Sequence, residues 1–379
     1  DAVTQWLSSQ DDEIKVSALG EKLQESLAFM LTHDAHAMIY EPAAEEIEAQ
    51  VRYEYFFADG FFFSKDVNGS YYMVNDGERW TLSSFSDEHV SVQPTLLQDG
   101  RIVYQPTLFA LRKDAVQSSV TLKNSSGKAK IYRLDWTESQ PLDVDLGTLD
   151  YRLIQEDGLT YVSLRSLVSG TYDNMLARYA REGAKARGSK AVIYDLRGNV
   201  GGSDSWPRKW IQSFLGTQNS IETSMLYAQK NSALFAAENS ESLLPEDEGT
   251  CFAREVHGTW YENDIPIIVL VDDHCGSSGE GAVQLLKTLD NVLVVGSNTA
   301  GYQLCGNIST FTLPYTGIGV RFGSTLFLYG DGENVDHRGY VPDVWCDPQD
   351  ALASVLALLK EQGVVSADAC ETVREKIVK

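Results

Sequence analysis

The sequence predicts an α/β protein: a layered α/β domain running from about residue 148 to the C-terminus, preceded by a helical region and a small β-rich domain. Three observations carry this expectation. After Thr148, short apolar runs such as 190–196 (KAVIYDL) and 265–271 alternate with helical stretches. Between Val51 and about Asp145, β-type runs are broken by Asp59-Gly60, Asp76-Gly77 and Asp99-Gly100 turns. Over residues 1–50, Leu19, Leu23, Leu27 and Met30 recur at three- and four-residue spacing, which places them on one helical face.

The division is therefore 1–50 helical, 51–147 β-rich and 148–379 α/β. In the first segment Gly20 is a weak point, the helix fades near His33-Asp34-Ala35-His36, and Glu41-Pro42 marks a break. In the second, the aromatic run 53–63 reads as core, and 120–123 and 129–134 flank Asn124-Ser125-Ser126-Gly127 as a hairpin. In the third, strands are expected at 159–164, 190–196, 265–271 and 292–295. Helices are expected at 172–186, with Met175, Leu176 and Tyr179 on one side, and at 206–215 and 277–289. The polar, acidic stretch 229–255 reads as an insertion or surface loop, and no internal repeat is visible.

A chain of 379 residues exceeds one ordinary core, and 43% apolar with 22% charged residues is the composition of a globular protein. The net charge of −23 repels nucleic acid and anionic lipid, so neither is an expected partner. No apolar run approaches the roughly 20 residues of a membrane span. The chain opens with Asp1, and no signal peptide is legible in it. The five cysteines, at 251, 275, 305, 346 and 370, form no C-x-x-C pair, which argues against a zinc site.

Two strand-to-helix turns could carry chemistry, since functional groups gather at such turns in open α/β folds. Asp195-Leu-Arg-Gly-Asn-Val-Gly-Gly202 is neither a phosphate loop nor a dinucleotide fingerprint, and on spacing alone it is a tight connection. In Cys275-Gly-Ser-Ser-Gly-Glu280, a serine opens a helix whose amides could stabilise an oxyanion. Ser277-x-x-Glu280 is equally an ordinary capping box, and Cys275 is a rival nucleophile. A nucleophilic serine needs a histidine base, and six histidines are available: 33, 36, 89, 257, 274 and 337. His33-x-x-His36 lacks an evident third metal ligand, and Asp336 is one of many acids on residue type alone.

Taken together, the motifs resemble those of the C-terminal-processing (tail-specific) serine peptidases and their tricorn relatives. The resemblance rests on KAVIYDLRGNVGG, on Asp34-Ala-His36 closing the helical region, and on Ser277-Ser-Gly-Glu280 opening a helix. It rests also on Val294-Val-Gly-Ser-Asn-Thr-Ala-Gly301 and Gly339-Tyr-Val-Pro-Asp343. It covers residues 148–359 and, less closely, the N-terminal helices. Many members use a Ser–Lys dyad, but the lysine position holds Tyr302, so the resemblance points to the tricorn-like Ser/His branch. That branch implies Ser277 as nucleophile, His36 as general base and Asp336, in place of its usual Glu, orienting the base. Ser278 with Gly201 or Gly202 would form the oxyanion hole. The implied core is layered and ClpP/crotonase-like. Residues 51–147 occupy the slot of a PDZ domain without its carboxylate loop, as a degenerate PDZ domain or an unrelated β insert.

The resemblance implies a serine endopeptidase that works through an acyl-enzyme on polypeptide substrates, with no metal or cofactor. It further implies a secreted or cell-envelope location and allows a homo-oligomer. A catalytically inactive, peptide-binding or scaffolding member is the alternative, and a crotonase-like acyl-CoA enzyme is a third reading. A disulfide between Cys275 and Cys305 is a further expectation. Substrate and cleavage preference are not legible.

Overall fold

The computed structural model describes residues 2–10, 14–40, 53–111, 118–170, 172–232, 236, 247–330 and 335–378. The Glu41-Pro42 break and Asn334 lie outside these residues. Contacts group the chain into two compact units. One holds Asp1–Arg52, Glu222–Thr259 and Gly301–Gly339; the other holds Tyr53–Ile221, Trp260–Ala300 and Tyr340–Lys379. This grouping does not follow chain order, and so differs from a division at residues 50 and 147.

The larger unit is mixed α/β with two sheets. At the heart of its ten-stranded sheet, Leu159–Ser163, Ala191–Asp195, Ile267–Val271, Val292–Gly296 and Val344–Trp345 run parallel. Every residue of the first three is buried, as in strands covered on both faces. The period-two alternation decides which side each residue serves. Val192 and Tyr194 pack with Leu176, Tyr179, Trp210 and Phe214 of helices Asp173–Ala186 and Ser205–Leu215. Ala191 and Ile193 pack instead with Val355, Leu359 and Val373 of helices Ala351–Glu361 and Ala367–Val378. Helices Asp173–Ala186 and Ser205–Leu215 cross closely because Gly183 has no side chain. A Cβ there would sit 2.3 Å from the Trp210 carbonyl oxygen.

The β-rich segment joins this sheet. Val90–Leu96, Ile102–Leu111, Tyr53–Ala58 and Trp136–Glu138 extend it through the pairing of Thr95 with Trp345. The hairpin Ser118–Lys123/Ala129–Leu134 forms part of a separate five-stranded antiparallel sheet. Phe63, Trp80, Leu108, Val120 and Leu122 share one core across both sheets, so the aromatic run is core. Described residues from 53 to 138 are strands and turns only.

The smaller unit begins with helices Ala2–Ser8, Val16–Ser26 and Ala28–His33. The helical pattern stops at His33, and Met38–Tyr40 is a strand pairing with residues 319–321 of the long strand Gly319–Tyr329. The same long strand pairs with Cys305–Thr312 and Met225–Lys230. Of the stretch 229–255, expected as an insertion or surface loop, the two ends are corrected to paired strands, Met225–Lys230 against Cys251–Val256, while 233–235 and 237–246 lie outside the described residues. Polarity misled there because Cys251–Val256 is an edge strand and almost wholly exposed. Among the described residues no helix is long and apolar enough to cross a membrane.

Candidate active site

Strand Ile267–Val271 delivers the chain to Cys275, and helix Ser278–Leu286 leaves with Ser277 at its N-cap. Ser277 has φ 52° and ψ −123°, a conformation that favours glycine. A side chain held there costs about 1–3 kcal/mol, a strain found mainly at functional positions. Glu280, fully buried, accepts the Ser277 amide on Oε2 at 3.1 Å and the Thr299 hydroxyl on Oε1 at 2.5 Å. The capping-box residues are thus in place, but around a strained serine.

The glycine turn lies directly against this serine. A Cβ on Gly201 would fall 2.8 Å from Ser277 Cβ and 2.9 Å from Ser278 N. Asn199, which the sequence reading passed over, couples the two turns. Its Nδ2 donates to the Leu164 carbonyl (3.0 Å), its Oδ1 accepts the Gly201 amide (3.0 Å), and its carbonyl accepts the Gly276 amide (2.9 Å). The Gly201 amide is thereby committed, which leaves Gly202 as the donor available from that turn. Ser278 Oγ donates to the Gly202 carbonyl at 2.9 Å and fixes that peptide. Gly202 has φ 142°, and a Cβ on it would meet the Leu167 carbonyl carbon at 2.0 Å. Gly202→Ala is therefore expected to lower hydrolysis by at least the roughly 100-fold that loss of one oxyanion donor costs. A steady-state assay beside a thermal melt checks this; unchanged turnover would contradict it.

Beneath the turn, Asp195 is fully buried between two arginines. Arg197 reaches its carboxylate bidentately at 2.9 and 2.6 Å, Arg165 reaches it at 3.1 and 3.3 Å, and Tyr161 donates at 2.8 Å. Burial alone would raise the Asp195 pKa, but the two guanidiniums outweigh it and hold the carboxyl far below the usual range. Arg197 Nη1 also donates to the Pro348 carbonyl at 2.5 Å, tying the turn to the chain before the C-terminal helices. Asp343 of the Gly339–Asp343 motif is likewise structural, accepting the Val294 amide at 2.8 Å and pairing with Lys287 at 2.8 Å.

The other unit holds His36 and Asp336, which the fold brings together. Strand Met38–Tyr40 anchors the D-x-H segment: Arg321 Nε donates to the His36 carbonyl at 3.2 Å, and the Gly323 amide to Asp34 Oδ2 at 2.6 Å. Asp34 Oδ1 accepts the His36 amide at 2.9 Å. Asp336 accepts amides from Gln303 (2.8 Å), Leu304 (2.5 Å) and Ala35 (3.2 Å). His36 is 4% exposed; neither ring nitrogen makes a hydrogen bond of good geometry among the described residues, but the Cys305 backbone lies close enough to raise the ring's pKa. Asp336 thus acts on the ring through its charge. Burial lowers the His36 pKa, opposed by the charges of Asp34 and Asp336; burial raises that of Asp336. Tyr302, standing where a dyad lysine would, packs its ring 5.1 Å from the imidazole.

The rivals recede. Cys275 is fully buried, and burial together with the Glu280 and Asp272 charges holds its thiol well above the ordinary range, which suppresses a nucleophilic thiolate. His33 is exposed, with Nδ1 2.8 Å from the Phe29 carbonyl. All five cysteines are free thiols, so the Cys275–Cys305 disulfide is not formed. Both are buried among apolar and carboxylate groups that favour neutral thiols. Ser277, Ser278, Gly201 and Gly202 lie together in the larger unit, and His36 and Asp336 in the smaller.

Residues 158–345 match peptidase family S41. Among curated proteins none matches the chain by sequence. Solved structures similar to it include mature CPAF, 12% identical over 96% of this chain and 90% of that one, with a TM-score of 0.47. A photosystem II D1 C-terminal processing protease is 14% identical over 94% and 89%, with a TM-score of 0.43. A putative peptidase from Parabacteroides merdae is 23% identical over 59% and 68%, with a TM-score of 0.36. The stretch that matches peptidase family S41, residues 158–345, holds both the glycine turn at 195–202 and the serine turn at 275–280.

Proposed function

We propose that the protein hydrolyses peptide bonds within polypeptides through an acyl-enzyme, with Ser277 as nucleophile, His36 as base and Asp336 supporting the base. The observation that carries this reading is the strained backbone of Ser277, a non-glycine residue at φ 52° beside the glycine turn. His36 takes the Ser277 hydroxyl proton as Oγ attacks the carbonyl carbon. The oxyanion forms against the Ser278 and Gly202 amides, at the positive end of helix Ser278–Leu286. The imidazolium returns its proton to the leaving amine, and water repeats the sequence on the ester. The carboxylates of Asp34 and Asp336 stabilise the imidazolium while it exists. The reading requires His36 to reach Ser277 in the reacting state, and places the protein in the tricorn-like branch because Tyr302 supplies no ammonium group.

The pH dependence of kcat/KM on an unstructured peptide tests the base. His36 must be neutral to accept a proton, and its pKa lies below the ordinary 6.5, so activity should persist under pH 6.5 and then fall. A lysine base would place that limb near 7–8 or higher, and such a limb would count against His36. Stability shares the sign: below 6.5 the unfolded chain binds a proton the folded one resists, so stability falls with pH there.

A further inference from the structure

The two turns of the candidate site are joined by a carboxylate to which the acid–base scheme gives no part. Asp272 follows strand Ile267–Val271 directly and is fully buried. Its Oδ1 accepts two backbone amides: Gly198, in the glycine turn, at 2.8 Å, and His274, at the approach to the serine turn, at 3.2 Å. Its Oδ2 accepts the Leu142 amide at 3.0 Å. Leu142 belongs to the stretch 139–151, which carries no helix or strand and lies on the glycine turn. A Cβ on Gly198 would sit 2.4 Å from Val144 Cγ2 of that stretch. One side chain at a strand end thus holds backbone from three separate places in the chain.

Three converging N–H groups explain the residue type. A side-chain amide accepts on one oxygen only, whereas an ionised carboxylate accepts on both. Burial raises the Asp272 pKa, and the Gly198 and Leu142 amides are the leading opposition to that rise. The placement matters because of what stands further along each turn. Gly202 lies four residues after Gly198, and Ser278 lies four residues after His274. These are the two amides against which the oxyanion forms, one from each turn. Oδ1 therefore holds a fixed point of each arm, and Asn199, whose carbonyl accepts the Gly276 amide at 2.9 Å, holds a second. The two arms cannot separate without breaking a buried hydrogen bond.

We propose that Asp272 is a positioning residue for the oxyanion hole. By accepting the Gly198 and His274 amides on one oxygen, it sets the spacing of the Gly202 and Ser278 amides. By accepting the Leu142 amide on the other, it keeps the stretch 139–151 seated on the glycine turn. It touches no substrate, and it acts only through the backbone it holds. The proposal rests on the reading of Ser277 as nucleophile with those two amides as the hole. A residue that sets the hole affects the transition state more than the bound substrate, so its loss should appear in kcat and not in KM.

The test compares Asp272→Ala with Asp272→Asn in the full chain, with a thermal melt of each. Asp272→Ala should lower kcat on an unstructured peptide by about 100-fold, the loss that a displacement of about 1 Å brings, and leave KM unchanged. Affinity for a peptide aldehyde, whose adduct with Ser277 places its oxygen in the hole, should fall by the same factor. Asp272→Asn should recover most of both, because its one accepting oxygen serves Gly198 and His274 together. Its defect should fall on the Leu142 amide, seen as faster hydrogen exchange there than at Gly198 or His274. If Asp272→Ala does not fold, Asp272→Asn carries the test through that exchange pattern and its aldehyde affinity. Wild-type kcat in folded Asp272→Ala, or kcat lost in either variant with aldehyde affinity kept, overturns the proposal. So does Asp272→Asn as impaired as Asp272→Ala, or with Gly198 exchanging as fast as Leu142. Where Ser277→Ala is inactive, these outcomes count against Asp272 alone. Turnover that survives Ser277→Ala overturns the nucleophile reading, and the hole with it.

Discussion

Ser277→Ala is expected to lower kcat by about a million-fold, the loss that follows removal of either member of a serine–histidine pair. His36→Ala should match it, and the double variant should be no worse than either single one, because the two act as a unit. The informative companion is Ser277→Gly. It also lacks a nucleophile, but glycine accepts φ 52° without strain, so unfolding should become harder by about 1 kcal/mol. A serine kept only to cap its helix predicts otherwise. Its loss to alanine would cost about 0.5–2 kcal/mol and leave turnover alone. Denaturant midpoints measured beside kcat separate the two accounts.

Asp195→Asn should be the most destabilising single-atom exchange in the larger unit, at about 3–5 kcal/mol. The substitution keeps the shape and removes the charge that chiefly offsets Arg165 and Arg197, all three nearly or fully buried. Two guanidiniums would then face each other out of water with only neutral acceptors. Replacing Asp195, Arg165 and Arg197 together with apolar residues should cost less than removing the carboxylate alone. Because the folded carboxyl is held far below the ordinary 3.8, its contribution is fully present above that value. It is lost only as pH falls toward the folded pKa. Chemical denaturation at pH 7 and pH 5 should therefore give the same difference between wild type and Asp195→Asn. A loss under 1 kcal/mol would show that water reaches the network.

The elements easiest to read were those whose burial pattern has one physical meaning. KAVIYDL and the run ending at Val271 are strands covered on both faces, and nothing but a continuous apolar run satisfies both. The hairpin at Asn124 was legible because its turn residues carry a backbone preference, with Gly127 at φ 80°. Met38–Tyr40 and Cys251–Val256 were not. Each is stabilised by a partner strand far away in sequence, and a polar edge strand looks like a loop. The β-rich segment extends the central sheet through one pairing, Thr95 with Trp345, which no local pattern announces.

For the candidate site, motif order pointed to the serine and glycine turns, which the structure sets against each other. It did not distinguish Gly201 from Gly202, because that depends on the Asn199 side chain taking the Gly201 amide. Nor could spacing along the chain show Cys305 beside Asp34 and Asp336, since the three are brought together by strand pairing.

The most direct measurement is covalent labelling of the purified chain with a fluorophosphonate, located by peptide mass spectrometry. The account predicts a single phosphonylated residue, Ser277, and loss of labelling in His36→Ala while that variant remains folded. Labelling at another residue, or undiminished labelling of Ser277 in His36→Ala, would contradict it.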